Sequence, residues 1–184
     1  MSVASEPSDQ QPLKVTLRRI VIVGCPAAGK STLATQLGAA LDLPIVRRDD
    51  LGELGSEGYR DAIHSMVDTP AWMLDGPPFF EEDIVYMAAD FILWLDTPKS
   101  SVIWWGLKRA FAEARDGGSL MHALHRTGGP VYAAYAFASR RAHFTDVLSN
   151  AAYKGKVGHI KPNRFVYRLP DVDKVVNALR TAQG

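Results

Sequence analysis

The chain has 184 residues, 47% of them hydrophobic and 22% charged, which suffices for one α/β domain with a sizeable core. A formal net charge of +1 gives no reason to expect a polyanionic partner such as nucleic acid. The single cysteine excludes an internal disulfide. No apolar run approaches the roughly 20 residues of a membrane span, and the amino-terminal stretch lacks the basic-then-apolar layout of a secretion signal, so a cytoplasmic setting is expected by elimination.

Residues 1–16 are rich in Ser, Pro, Gln and acidic side chains without periodicity, which predicts a flexible tail, and residues 17–184 are expected to form a single domain. Arg19–Val23 is a short β-branched run suited to a buried strand. It leads into Gly24-Cys25-Pro26-Ala27-Ala28-Gly29-Lys30-Ser31, a complete G-x-x-x-x-G-K-[ST] phosphate loop. Leu33, Leu37, Ala40 and Leu41 then recur at helical spacing, predicting a helix over Lys30–Leu41. Strand, glycine turn and helix N-terminus gather unpaired backbone N–H groups and a positive dipole end around one concavity, which suits a phosphate chain. The segment from Gly24 to Thr32 is therefore the expected nucleotide-phosphate site. The amides from Ala27 to Ser31 would wrap the β-phosphate, Lys30 would bridge β- and γ-phosphates, and the Ser31 hydroxyl would hold Mg²⁺. Cys25 inside the loop is either a small tolerated side chain or a thiol whose acidity the helix N-terminus raises.

A second predicted strand, Pro44–Arg48, ends at Asp49 and Asp50. Of these, Asp49 is chosen as the carboxylate that would meet an acceptor hydroxyl. A third, Ala71–Leu74, ends at Asp75-Gly76, where Asp75 either holds Mg²⁺ or caps the following turn. The fourth, Phe91–Leu95, ends at Asp96, read as a turn or helix-cap residue before Thr97-Pro98. From Thr97 to Pro162 the pattern is mainly helical, broken at Asp116–Ser119 and Thr127–Pro130. Roughly residues 105–160 are expected to form a lid. Phosphoryl transfer needs cations on the migrating group; Arg109 is the first candidate, with Arg115, Arg140 and Arg141 open. Trp104-Trp105 and Tyr132, Tyr135 and Phe137 are read as core aromatics rather than a base-stacking platform. His122 and His125 have no nearby third ligand, so no zinc is assigned. A fifth strand is predicted at Arg164–Leu169 and a closing amphipathic helix at Asp171–Arg180. Strands alternating with helices argue for parallel βαβ units.

The order of these motifs, IVIVGCPAAGKSTLATQLGAAL, LPIVRRDDL, WMLDG, ADFILWLDTPKSSVIWWGLKRAF and FVYRLPDVDKVVNAL, resembles the adenylate-kinase-like P-loop kinases, nearest the FlaR-type "DNA topology modulation" proteins. The resemblance runs from Arg18 onward and thins over residues 53–70 and 116–161. It implies a three-layer P-loop fold, with a five-stranded parallel sheet in order 2-3-1-4-5 and a helical lid between strands 4 and 5. It also implies ATP–Mg²⁺ as donor, with Lys30, Ser31 and Asp75 at the donor site, Asp49 at the acceptor and Arg109 in the lid. Where those relatives carry an aromatic-rich stretch, this chain has Leu51-Gly52-Glu53-Leu54-Gly55. Pro77-Pro78-Phe79 follows Asp75-Gly76, and Trp105 stands in place of a lid arginine, so the acceptor stays open.

The leading expectation is an ATP-dependent kinase acting on a small hydroxylated acceptor (nucleotide, nucleoside or similar metabolite), as monomer or homodimer. The alternative is a nucleotide-dependent switch of the FlaR type that transfers nothing to a small molecule. There is no Asn-Lys-x-Asp guanine signature and no nucleic-acid recognition motif.

Overall fold

The computed structural model describes residues 17–125, 129–161 and 172–181. Five parallel strands, β1 (Arg19–Gly24), β2 (Ile45–Arg47), β3 (Trp72–Asp75), β4 (Phe91–Leu95) and β5 (Val157–Ile160), form one sheet in the order β2-β3-β1-β4-β5. The parallel pairing is what the alternation of strands and helices predicts, and the strand order is the one the resemblance implies.

The central strands are apolar throughout because both of their faces are covered. Ile20 and Ile22 of β1 join Met73, Leu93 and Leu95 in one core cluster, while Val21 and Val23 join Leu74, Ile92 and Trp94 in the other. The first cluster is closed by Leu33 and Leu37 of α1 (Lys30–Leu41) and by Val175, Val176 and Leu179 of α7 (Val172–Thr181). The second is closed by Tyr59 and Ile63 of α2 (Glu57–Val67), Val85 and Tyr86 of α3 (Glu82–Ala88), and Phe144. Ser56 starts α2, its hydroxyl accepting the Tyr59 N–H at 3.1 Å.

Among the described residues, three α-helices and a 3₁₀ turn (Ala151–Tyr153) lie between β4 and β5: α4 (Lys99–Arg115), α5 (Leu120–His125) and α6 (Pro130–Val147) precede that turn. The breaker at Asp116–Ser119 separates the first two as predicted, and Pro130 occupies the first turn of α6, where its missing N–H costs nothing. At the α4–α6 crossing a Cβ on Gly106 would stand 3.0 Å from Pro130 Cα, so the glycine sets how closely the helices meet.

The fifth strand is built from a segment the sequence did not single out. The predicted run Arg164–Leu169 lies outside the described residues, as do the amino-terminal tail, residues 126–128 and Asp171. β5 instead falls at Val157–Ile160, inside the interval assigned to the lid. Val-Gly-His-Ile has too little apolar content to read as a buried strand, because its partner supplies the packing. The Phe91 ring sits over Gly158, where a Cβ would lie 2.5 Å from Phe91 Cε1, and Trp94 stacks on His159 with ring centres 4.2 Å apart.

Candidate active site

The site forms at the carboxyl ends of the strands, where parallel α/β sheets place ligands. β1 ends on Gly24 (φ +154), and a Cβ there would lie 2.6 Å from Leu95 O, so the loop leaves the sheet in a space only glycine fits. The loop closes on itself through Ala28 N–H to Cys25 O (3.2 Å), with Ala27 (φ 59) and Gly29 (φ 93) both left-handed. Thr97, buried after β4, pins it from below by donating to Ala28 O at 3.1 Å. α1 then begins with no side-chain cap and no acidic residue in its first turn. Its first amides and dipole are therefore left without a side-chain cap, open to an anion.

Lys30 reaches back to donate to Cys25 O at 2.9 Å. Burial lowers its pKa from 10.5 to about 8, against the pull of Asp75, which raises it. Cys25 behaves in the opposite sense from the activated-thiol reading. Its side chain is buried beneath the loop, 3.8 Å from Phe137 O, and desolvation pushes the thiol up to about 11, outweighing Lys30. It is a small packed side chain and the one member of the loop that does not line the cleft.

That cleft, about 600 Å³, is lined by Gly24, Pro26, Ala27, Ala28, Gly29, Lys30, Ser31 and Thr32 on one wall. Asp75 and Gly76 form its floor at the end of β3, where Gly76 N–H bonds Ile22 O at 3.0 Å. Asp75 is buried, yet among the described residues it accepts no side-chain hydrogen bond, so its carboxylate is open to a cation. Past β2, a 3₁₀ turn (Arg48–Leu51) presents Arg48 and Asp49, ion-paired with each other. Arg48 packs on Gly76, where a Cβ would come within 3.0 Å of its own Cβ. The far wall is Arg109 from α4 and Tyr132, Arg140 and Phe144 from α6.

Lys30, Asp49, Asp75 and Arg109, distant in sequence, thus line one cavity. Lys108, Arg115 and Asp50 do not; Lys108 lies over the Trp104 ring at 5.4 Å. The two arginines on α6 divide: Arg140 enters the cleft, with its guanidinium 4.2 Å from the Phe79 ring centre, while Arg141 turns to Asp96. Asp96 is a clamp, which corrects the cap reading. Arg141 donates through Nε (2.8 Å) and Nη2 (3.0 Å), His159 Nε2 lies at 3.0 Å, and α4 starts at Pro98 without a side-chain cap. The Arg141 hydrogen bonds, and secondarily that of His159, hold the Asp96 carboxyl below its usual range despite burial.

Arg47, Arg48, Phe79 and Phe144 line the cleft without having been expected there, and Tyr132, expected in the core, lines it too. The Arg47-Arg48 pair beside Asp49 was the available signal, whereas nothing local marks Phe79 or Phe144, which converge only through packing. The other aromatics separate: Phe137 packs on the core and Tyr135 is exposed. Among the described residues no group of three or more His, Cys, Asp or Glu could hold a metal ion. No helix among them is long and apolar enough to cross a membrane.

No protein-family model matches the chain, and no curated protein matches it in sequence. Solved structures do match in fold. Shikimate kinase from Acinetobacter baumannii, in complex with shikimate, superposes with a TM-score of 0.52 at 16% identity over 90% of this chain and 94% of that one. Shikimate kinase from Bacteroides thetaiotaomicron gives 0.54 at 13% identity, covering 89% and 96%. The YorR protein from Bacillus subtilis, in complex with phosphorylated GDP, gives 0.51 at 16% identity, covering 87% and 92%. At these identities the likeness is one of fold: the chain is built as the shikimate-kinase-like P-loop kinases are.

Proposed function

We propose that the protein is an ATP-dependent kinase that moves the γ-phosphoryl group to a small hydroxylated acceptor. One observation carries the reading: a phosphate loop, two carboxylates and separate arginines from the 105–160 segment line one cavity of about 600 Å³. That size suits a nucleotide's phosphates and a small second substrate.

Lys30 would leave Cys25 O for the phosphates, and the loop amides would fix their position, so the nucleotide is oriented before reaction. The site fits magnesium: Ser31 and the open carboxylate of Asp75 both face the cleft, and a magnesium site of this kind completes its shell with phosphate oxygens and water. When bound, that ion neutralises charge on the phosphates. Asp49, at the mouth of β2, would accept the acceptor's hydroxyl proton, with Arg48 holding the carboxylate in place. Arg109 would bring positive charge to the phosphoryl oxygens as charge spreads in the transition state.

Acceptor-stimulated ADP release across nucleosides, nucleotides, sugars and hydroxy acids tests the proposal, with Lys30→Ala as control. Stimulation that disappears in the variant supports the kinase. Nucleotide binding with no stimulation by any acceptor would instead favour the FlaR-type regulatory ATPase, a reading that rests on the sequence motifs alone.

A further inference from the structure

Resting on the kinase reading, we propose that Thr97 is a positioning residue for the phosphate loop: its hydroxyl, by holding Ala28 O beneath the loop, turns the Gly29 N–H into the cleft to meet a nucleotide phosphate. A trans peptide points its C=O and N–H in opposite directions, so whatever fixes one group aims the other. Ala28 O and Gly29 N–H belong to the same peptide, which is trans. The Thr97 hydroxyl donates to Ala28 O at 3.1 Å, and Thr97 is only 1% exposed. Ala28 and Gly29 line the cleft whereas Thr97 does not, so this hydrogen bond lies on the sheet side of the loop. The amide across the peptide then faces the cavity.

That amide is available. Gly29 N–H has no acceptor among the described residues, unlike the Ala28 N–H one position earlier, which goes to Cys25 O at 3.2 Å. It also needs an anchor. The 28–29 peptide lies between Ala27 (φ 59) and Gly29 (φ 93), both left-handed, and glycine changes backbone conformation at little cost. Rotation of this peptide would swing the N–H away from the cleft. A hydrogen bond from a fixed side chain removes that freedom before the nucleotide arrives, so less ordering is left for the binding step.

Thr97 is itself well fixed. Its β-branch restricts the side chain, and the following Pro98 confines its backbone to the extended region. Its other neighbour, Asp96, is clamped by Arg141 of α6 (2.8 Å) and His159 of β5 (3.0 Å), and the Asp96 N–H bonds Ile160 O at 2.9 Å. The aim of a loop amide is thereby set from the end of β4, outside the G-x-x-x-x-G-K-[ST] motif. A valine at 97 would fill the same space and offer no proton.

Thr97→Val keeps the shape and removes the donor, and Thr97→Ser keeps the donor. Calorimetry with Mg·ATP, with folding checked by circular dichroism, should give Thr97→Val a Kd at least about tenfold weaker than native. Thr97→Ser should stay within about threefold of native. Thr97→Ala, which also lacks the donor, takes the place of Thr97→Val if the valine variant does not fold. An unchanged Kd in the folded donor-less variant overturns the proposal. So does an equal loss in Thr97→Ser, which would make packing and not the hydroxyl responsible. A second readout is the Gly29 amide proton in the NMR spectrum. Mg·ADP should move it downfield in the native protein and move it less in the donor-less variant, and a Gly29 resonance that does not move in the native protein overturns the proposal. The failures are distinguishable. No Mg·ATP heat with the native protein removes the kinase reading and this inference with it, whereas native binding with equal affinity in Thr97→Val removes only the inference.

Discussion

At Lys30, burial disfavours the ammonium while Asp75 favours it, and burial wins, leaving a pKa of about 8 against 10.5 in the unfolded chain. Between those values the unfolded state binds more protons than the folded one, so this group makes stability rise with pH through that window. A triphosphate bound as proposed would return the ammonium to its charged form. Mg·ATP binding near pH ~8.5 should therefore take up a fraction of a proton, seen as binding enthalpy that varies with the buffer's ionisation enthalpy. Lys30→Ala should lose that dependence; no dependence in the native protein would contradict the burial account. Gly24 carries a second residue-scale expectation. Its missing Cβ leaves the Leu95 carbonyl where it is, so Gly24→Ala should cost about 1–3 kcal/mol, read as a lower urea midpoint. An unchanged midpoint would mean that the loop relaxes freely.

Among the elements, α6 decides the far wall of the cleft, and it is tied to the sheet by the Arg141–Asp96 fork. Arg141 is about half exposed, with 48% of its side chain accessible, so solvent screening limits what the pair contributes. Asp96→Asn should cost about 0.5–1.5 kcal/mol in urea unfolding at neutral pH. The sign with pH follows from the lowered carboxyl: the contribution is full above the unfolded carboxylate pKa and fades as pH falls through the folded value. The native and variant proteins should thus converge in stability on acidification, and a constant gap would show that the charge is not what matters.

The same scale shows what local pattern could and could not reveal. β1, α1 and β4 announce themselves because each is a continuous apolar or helically periodic run packed on its own account. β2 came out shorter than Pro44–Arg48, an exposed edge strand of three residues. β5 escaped because Gly158 and His159 borrow their packing from Phe91 and Trp94, residues more than sixty positions earlier.

For the molecule as a whole, the G-x-x-x-x-G-K-[ST] loop was legible because its residues are contiguous. The opposite wall was not, because Phe79, Tyr132, Arg140 and Phe144 meet only once α6 crosses α4 at Gly106. Asp49, Asp75 and Arg109 lay between these cases: each could be proposed from its position at a strand end or on the helix after β4, but only the folded sheet brings them together. If Arg109 serves the transition state, Arg109→Ala should lower kcat on the order of 100-fold while shifting ATP affinity far less; equal losses in both would make it a binding residue. All of this depends on the cleft holding a nucleoside triphosphate. A calorimetric titration of Mg·ATP into the native protein and into Lys30→Ala, with folding of both checked by circular dichroism, tests that directly. The account predicts one saturable site with a Kd between about 1 μM and 1 mM, weakened at least about tenfold in the folded variant. No heat with the native protein, or equal affinity in the variant, would contradict it.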